Sequence, residues 1–403
     1  MTLLQRFHIN FFTIAFIAII CACESDDIAP DDEVIVPGEE STIRQSDTIN
    51  LSKTDILATS GDNILRLTDN NKLLMSNDLG KTWKSLDNTI GIISAVHWFS
   101  DQSCLICSRY KAYWVDKSFS TIHESIVYDY DGNVLTDTSP HFYLARRGHD
   151  YSGSINGIET FIWSDYYGDV ERYVSRVWQT TDNGRTIKCI CKNKETVADN
   201  GDIINCRHFH DCIIRENHDE IYITSGDSGT QCQLIKGTFQ DGKWSYHIIG
   251  KGKEFKFCAT WIEEPYFYTV TDYTGYGVNG LLKVEFTKMD DIKNYHYVYE
   301  ASDNKPLVQF QKCGKYIFLG YDGSIKGKMI MSVAGGPFHT VRLLYEGSDD
   351  YPLGAIGLPN NAGLSIIDRG ATYGDINDLR LNGRMYNFTE AMHAAGYLDY
   401  GQR

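Results

Sequence analysis

Basic residues are in short supply in this chain. Lys and Arg number 38 against 53 Asp and Glu, a net charge of −15. A surface that follows a nucleic acid or an anionic bilayer needs a basic face to meet phosphate, so neither is expected as a partner. A local Arg/His pocket for an acidic ligand remains compatible with the overall charge. Hydrophobic runs of membrane-spanning length are also lacking. The run Phe11–Ile20 follows Arg6 and His8 and is too short to cross a bilayer, but it suits the apolar core of a signal peptide. Cys104-x-x-Cys107 has no second CxxC to complete a zinc site. Nine cysteines remain after Cys21 and Cys23, and an odd count leaves at least one unpaired in an exported protein. Cys189 and Cys191 lie two apart on one face of a predicted strand and are read as small buried side chains. No long amphipathic helix is evident anywhere.

What the chain does have is tyrosine (26), phenylalanine (18) and glycine (35), a composition that suits short strands joined by tight turns. The most informative stretch is Ser76-Asn77-Asp78-Leu79-Gly80-Lys81-Thr82-Trp83. Ser76 and Asp78 have short side chains that can bond turn backbone, Gly80 can take a positive φ, and Thr82 and Trp83 restart a strand. The pattern returns at Thr180, Asp182, Gly184 and Thr186, with Ile187 in place of the Trp. Ser/Thr-x-Asp-x-Gly-x-Thr-Trp resembles the Asp-box (BNR) repeat of β-propellers, a family whose best-known members are sialidases. The resemblance implies an all-β propeller in which the Asp-box residues are structural.

A second signature supports the same fold class. Apolar runs that stop at Asp end at Asp69, Asp165, Asp227, Asp272, Asp322 and Asp368, with Cys104–Tyr110 as a further equivalent run. The spacing is about fifty residues, the length of a four-stranded blade. Seven blades are expected, six being the alternative, and the segment Ser41–Leu51 is expected to supply the strand missing from the last. Residues 1–22 read as a signal peptide and 23–48 as an acidic flexible tether. Residues 49–403 read as a single propeller domain. Ile20-Cys21-Ala22-Cys23 resembles a bacterial lipobox with Cys23 lipidated, and Glu24-Ser25-Asp26-Asp27 resembles the surface-export signal of Bacteroidetes lipoproteins. Those resemblances imply a monomeric outer-membrane lipoprotein facing outward, attached to the membrane through its lipid alone.

In such a propeller the connections after the second strand and before the first share one face, and the Asp boxes lie on the other. Candidate site residues therefore fall near the strand-end Asp residues. The richest cluster is Arg207-His208-Phe209-His210, followed by Asp227; alternation puts His208 and His210 on one strand face. Either histidine suits a general base or a metal ligand, and Arg207 suits an acidic sugar, but no third metal ligand is evident in sequence and no cofactor is expected. Tyr166 completes the candidate catalytic set. Asp165, Tyr167, Asp272 and Tyr273 pair carboxylate with an aromatic ring, as sugar recognition does. Arg147, His149 and Glu159 are further substrate-binding candidates. The expected partner is a glycan or polysaccharide, recognised or processed at the channel mouth. A non-catalytic glycan- or protein-binding propeller and a uronate lyase are the alternatives. True sialidase activity is disfavoured: the Phe/Tyr-Arg-Ile-Pro motif is absent, and only Arg342, Arg369, Arg380 and Arg384 lie between residue 216 and the last few residues.

Overall fold

The computed structural model describes residues from 48 to 394 with interruptions, the largest being 137–151, 166–173 and 369–384. Its regular elements are nearly all strands. The first, β1 (Thr48–Thr54), stands apart from the sheet that follows it. Next come β2 (Ile56–Ser60), β3 (Asn63–Leu67), β4 (Leu73–Ser76) and β5 (Lys84–Ser85), paired in that order. The second sheet is β6 (Ile93–Trp98), β7 (Cys104–Ser108), β8 (Ala112–Val115) and β9 (Ile122–Glu124). Strand β10 (Ile126–Tyr128) lies parallel on the outer edge of the third sheet. That sheet otherwise holds β11 (Ser152–Ile155), β12 (Ile158–Ser164), β13 (Arg176–Thr180) and β14 (Thr186–Lys192).

The fourth sheet contains β15 (Phe209–Arg215), β16 (Glu220–Ser225), β17 (Gln233–Gln240) and β18 (Lys243–Lys251). The fifth contains β19 (Phe257–Glu263), β20 (Tyr266–Thr271), β21 (Gly280–Glu285) and β22 (His296–Glu300). Then follow β23 (Leu307–Cys313), β24 (Tyr316–Tyr321), β25 (Lys328–Val333) and β26 (His339–Tyr345), and finally β27 (Pro352–Leu358), β28 (Gly363–Asp368) and β29 (Met385–Asn387). Strand β1 lies between these last two groups. It pairs parallel with β26 through Thr48–Leu51 and antiparallel with β29 through Ser52–Thr54.

Successive sheets are neighbours through their first strands: β2 beside β6, β15 beside β19, β19 beside β23, β23 beside β27, and β27 back beside β2. This is a β-propeller. Its core lies between adjacent sheets, because each strand alternates side chains toward the sheet before and the sheet after. Leu65, Leu73 and Met75 of the first sheet meet Ile106 and Val115 of the second. Ile213, Tyr222 and Leu234 of the fourth meet Phe257, Phe267 and Leu282 of the fifth. Both faces of a sheet are thus covered, so β7 (CLICS) and β13 (RVWQT) are buried at every position.

The register of the first strands slips at their start. Irregularities fall between Ile56 and Ala58, Ile93 and Ala95, Phe209 and Asp211, Phe257 and Thr260, and Leu307 and Gln309. Such bulges bend a strand and re-aim a side chain, and all of them lie at the end where the second-to-third-strand connections arrive. Cys104, Cys189, Cys191, Cys206, Cys212, Cys232 and Cys258 are buried thiols without a disulfide. That agrees with the reading of Cys189 and Cys191 as packing residues. Among the described residues no helix is long and apolar enough to cross a membrane.

Candidate functional site

The two turns at Ser76–Thr82 and Thr180–Thr186 sit between third and fourth strands, and they are built alike. Asp78 Oδ1 accepts from Ser76 Oγ at 2.7 Å and Thr82 N at 2.9 Å, and Oδ2 accepts from Thr82 Oγ1 at 2.6 Å. Asp182 Oδ1 accepts from Thr180 Oγ1 at 3.1 Å and Thr186 N at 2.8 Å, and Oδ2 from Thr186 Oγ1 at 2.7 Å. Gly80 and Gly184 both have φ +81°, and each donates its N–H to the leading hydroxyl. Trp83 carries the Arg66 guanidinium over its ring at 5.0 Å. The hydrogen bonds from Thr82, then that from Ser76, hold the Asp78 carboxyl down to about 2. Both carboxylate oxygens of each aspartate are engaged within the turn, on the face opposite Asp227.

On that other face the fourth sheet assembles a cluster. Gly226 follows β16 with φ +101°, and a Cβ there would run into the Gln231 carbonyl, so the position requires glycine. The Gly226 N–H donates to His208 O at 3.1 Å, which folds the next residue, Asp227, back over the start of β15. Asp227 Oδ1 then lies 3.2 Å from His208 Nε2 and 3.8 Å from His210 Nε2, and those two nitrogens are 3.1 Å apart. Arg207 Nη1 donates to the other oxygen, Oδ2, at 2.9 Å. His210 is the residue bulged out of the ladder between Phe209 and Asp211. Its Nδ1 lies 2.7 Å from the Phe257 carbonyl of the fifth sheet, which assigns the ring proton to Nδ1 and turns Nε2 toward Asp227 as an acceptor.

Both imidazoles are 2% exposed, whereas Asp227 and Arg207 side chains are 29% and 40% exposed. Burial pulls His208 down to about 4 against the opposing pull of Asp227, so it is neutral at neutral pH. Burial alone would raise Asp227, but hydrogen bonding led by His208 outweighs it and holds the carboxyl well below the usual range. The cluster therefore presents an ionised carboxylate and a guanidinium to solvent, backed by two buried, oriented imidazoles.

The remaining candidates fare differently. Asp165 is fully buried. Its Oδ1 accepts from Ser175 Oγ at 2.9 Å and Arg176 N at 2.6 Å, while Oδ2 accepts from Trp178 Nε1 at 3.3 Å and lies 3.7 Å from Arg176 Nη1. It braces its own hairpin and is not available to a ligand. Tyr273 is 7% exposed; its hydroxyl donates to Glu254 O at 2.6 Å, so its ring is no sugar platform. Asp272 pairs with Lys256 Nζ at 2.9 Å. Glu159 lies at the beginning of β12, beside the first-to-second-strand hairpin. It accepts from Ser100 N at 2.9 Å and Ser100 Oγ at 2.5 Å, which places it on the face of the Asp78 and Asp182 turns as a link to the second sheet. Tyr166, Tyr167, Arg147, His149 and Cys23 lie outside the described residues.

Sequence reading missed two things. The absence of a third ligand beside His208 and His210 is corrected by the fold, which delivers Asp227 to within 3.2 Å. It also missed Lys256, although a positional signal existed: a basic residue just before the first strand pairs with the Asp after the second, as Arg207 with Asp227 and Lys256 with Asp272.

No family model and no curated protein sequence matches the chain. Among solved structures, YCF48 from Cyanidioschyzon merolae aligns at TM-score 0.48 and 11% identity, over 86% of this chain and 96% of that one. YCF48 bound to D1 peptide aligns at 0.47 and 12%, over 86% and 97%. The extracellular domain of the putative one-component system BT4673 from B. thetaiotaomicron aligns at 0.48 and 8%, over 88% of this chain and 41% of that one. At these identities and scores nothing of their function transfers to this chain.

Proposed function

We propose that the protein is a seven-bladed Asp-box propeller, anchored at the bacterial outer surface through lipidated Cys23, that recognises a glycan at the Arg207–Asp227 end of the fourth sheet. The blade count is supported by seven sets of strands, the last completed by the pairing of β1 with β29. The repeat family is supported by two turns with one hydrogen-bond pattern. Lipidation, export and a tether over 23–48 are supported by the apolar run, the Cys23 context and the acidic segment after it. Blocking lipidation with Cys23→Ser is expected to release the protein from membranes, and protease treatment of intact cells should degrade the unaltered form.

The single observation that carries the recognition reading is the convergence of Arg207, His208 and His210 on Asp227, with Arg207 and Asp227 still reaching solvent. A guanidinium beside a carboxylate offers donors and acceptors to sugar hydroxyls, and Arg suits the carboxylate of an acidic sugar. The burial of both imidazoles favours binding over acid–base turnover. A glycan array followed by affinity gels tests this: retention on acidic glycans is expected for the protein and lost in Arg207→Ala. Uniform lack of retention would end the recognition reading. Release of unsaturated uronate, followed by its absorbance, would instead establish a lyase.

A further inference from the structure

His208 Nε2, His210 Nε2 and Asp227 Oδ1 form a triangle with sides of 3.1, 3.2 and 3.8 Å. A point about 2.0 Å from all three atoms lies in its plane, a distance that matches Zn–N and Zn–O bonds. The three groups are held there from outside. His210 is fixed by its Nδ1–H on the Phe257 carbonyl, the kind of outer bond that orients a metal-binding imidazole. Arg207 occupies Asp227 Oδ2 and leaves Oδ1 as a one-oxygen donor. His210 Nε2 and Asp227 Oδ1 both offer lone pairs, so at most one proton, on His208 Nε2, is shared among three converging atoms. Among the described residues, these three are the group of at least three His, Cys, Asp or Glu side chains whose ligand atoms all lie within 4.8 Å of one another.

We propose that His208, His210 and Asp227 bind a divalent first-row transition-metal ion of the zinc class. Two imidazoles and a carboxylate select that class over Mg2+ or Ca2+, which take oxygen donors. The protein supplies three ligands from one side, and the side toward which Asp227 is exposed leaves coordination positions for water or for an oxygen of a ligand. The site does not depend on the glycan reading and stands or falls separately from it.

The test uses the purified full-length protein, stripped with a chelator and titrated with Zn2+ alone by calorimetry. One ion per chain is expected, together with a rise in melting temperature on Zn2+ addition. Asp227→Asn and His210→Ala are expected to weaken binding by about 100-fold or more, with folding checked by circular dichroism. Because His247 and Asp199 form an exposed pair that can attract zinc adventitiously, His247→Ala serves as the control and should leave the stoichiometric site intact. Co2+ gives an independent readout in the folded protein, since its visible absorption reports imidazole and carboxylate coordination. Absence of stoichiometric Zn2+ binding to the unaltered protein overturns the proposal. So does binding that survives in folded Asp227→Asn, or binding lost only in His247→Ala.

Discussion

Asp165 and Asp227 each follow the second strand of their sheet, in consecutive sheets, and have opposite fates. Asp165 is sealed and receives hydrogen bonds from Ser175, just before the next strand, and from Arg176 and Trp178 within it. Asp227 remains partly open and receives its partners from the strand start behind it, Arg207 and His208, with His210 close by. Burial lifts the Asp165 carboxyl to about 7, whereas hydrogen bonding led by His208 pushes Asp227 the other way. One backbone position thus serves as a brace in one blade and as a site in the next. What separates them is where the donors come from, and Gly226 makes the second outcome possible by turning Asp227 backwards.

The comparison is broken most severely at Asp165. Asp165→Asn puts a donor where three donors already point, so a loss of about 3 kcal/mol is expected in denaturant melts, without change in Arg207-dependent glycan retention. The pH dependence sharpens this. The folded carboxyl titrates near 7, above the unfolded value of about 3.9. The folded chain therefore keeps a proton that the unfolded chain releases. That contribution is complete below pH ~4 and drains away as pH rises through about 7. The gap between the protein and Asp165→Asn should accordingly be wider at pH about 5 than at about 8. A wider gap at the higher pH would mean that the ion pair with Arg176 dominates instead.

Gly226→Ala should come next, at about 2 kcal/mol, because the left-handed φ and the Gln231 carbonyl both oppose a side chain. It should also uncouple Asp227 from His208, visible as a shift in the histidine resonances. Asp182→Ala removes the acceptor for Thr186 N and Oγ1 and should cost about 1–2 kcal/mol while leaving ligand binding unchanged. Arg207→Ala should be the mildest for stability, below about 1 kcal/mol because its ion pair is open to water. It should nonetheless have the largest effect on retention by acidic glycans. If Arg207→Ala destabilised more than Asp165→Asn, the division between brace and site would be wrong.

How much of this was legible in sequence follows from how far each side chain reaches for its partners. The two turns were fully readable because Asp78 and Asp182 bond residues within four positions of themselves. The strands of the fourth sheet were readable from apolar runs ending at Asp227 and from the alternation around His208 and His210. The convergence of Arg207, His208, His210 and Asp227 was readable as a grouping but not as a geometry, since that depends on a bulge at His210 and a turn at Gly226. Asp165 and Tyr273 were misjudged because burial is decided by packing between sheets and by partners at Trp178 and Glu254, which no local pattern announces. Glu159 was misjudged because β12 already begins at Ile158, after the turn at Asn156 and Gly157, which leaves Glu159 at the opposite end of its sheet from Asp227.

Strand β1 has a consequence for how the chain comes into being. Among the described strands it is the first to be synthesised, yet its partners β26 and β29 are among the last, about 300 residues later. Until they emerge, β1 carries unsatisfied edges, and bringing it to them means closing a loop almost as long as the domain. Final docking of β1 is therefore expected to be the slow step of folding. Until it occurs, the nascent protein is open to pairing with a second copy of itself through the same edges.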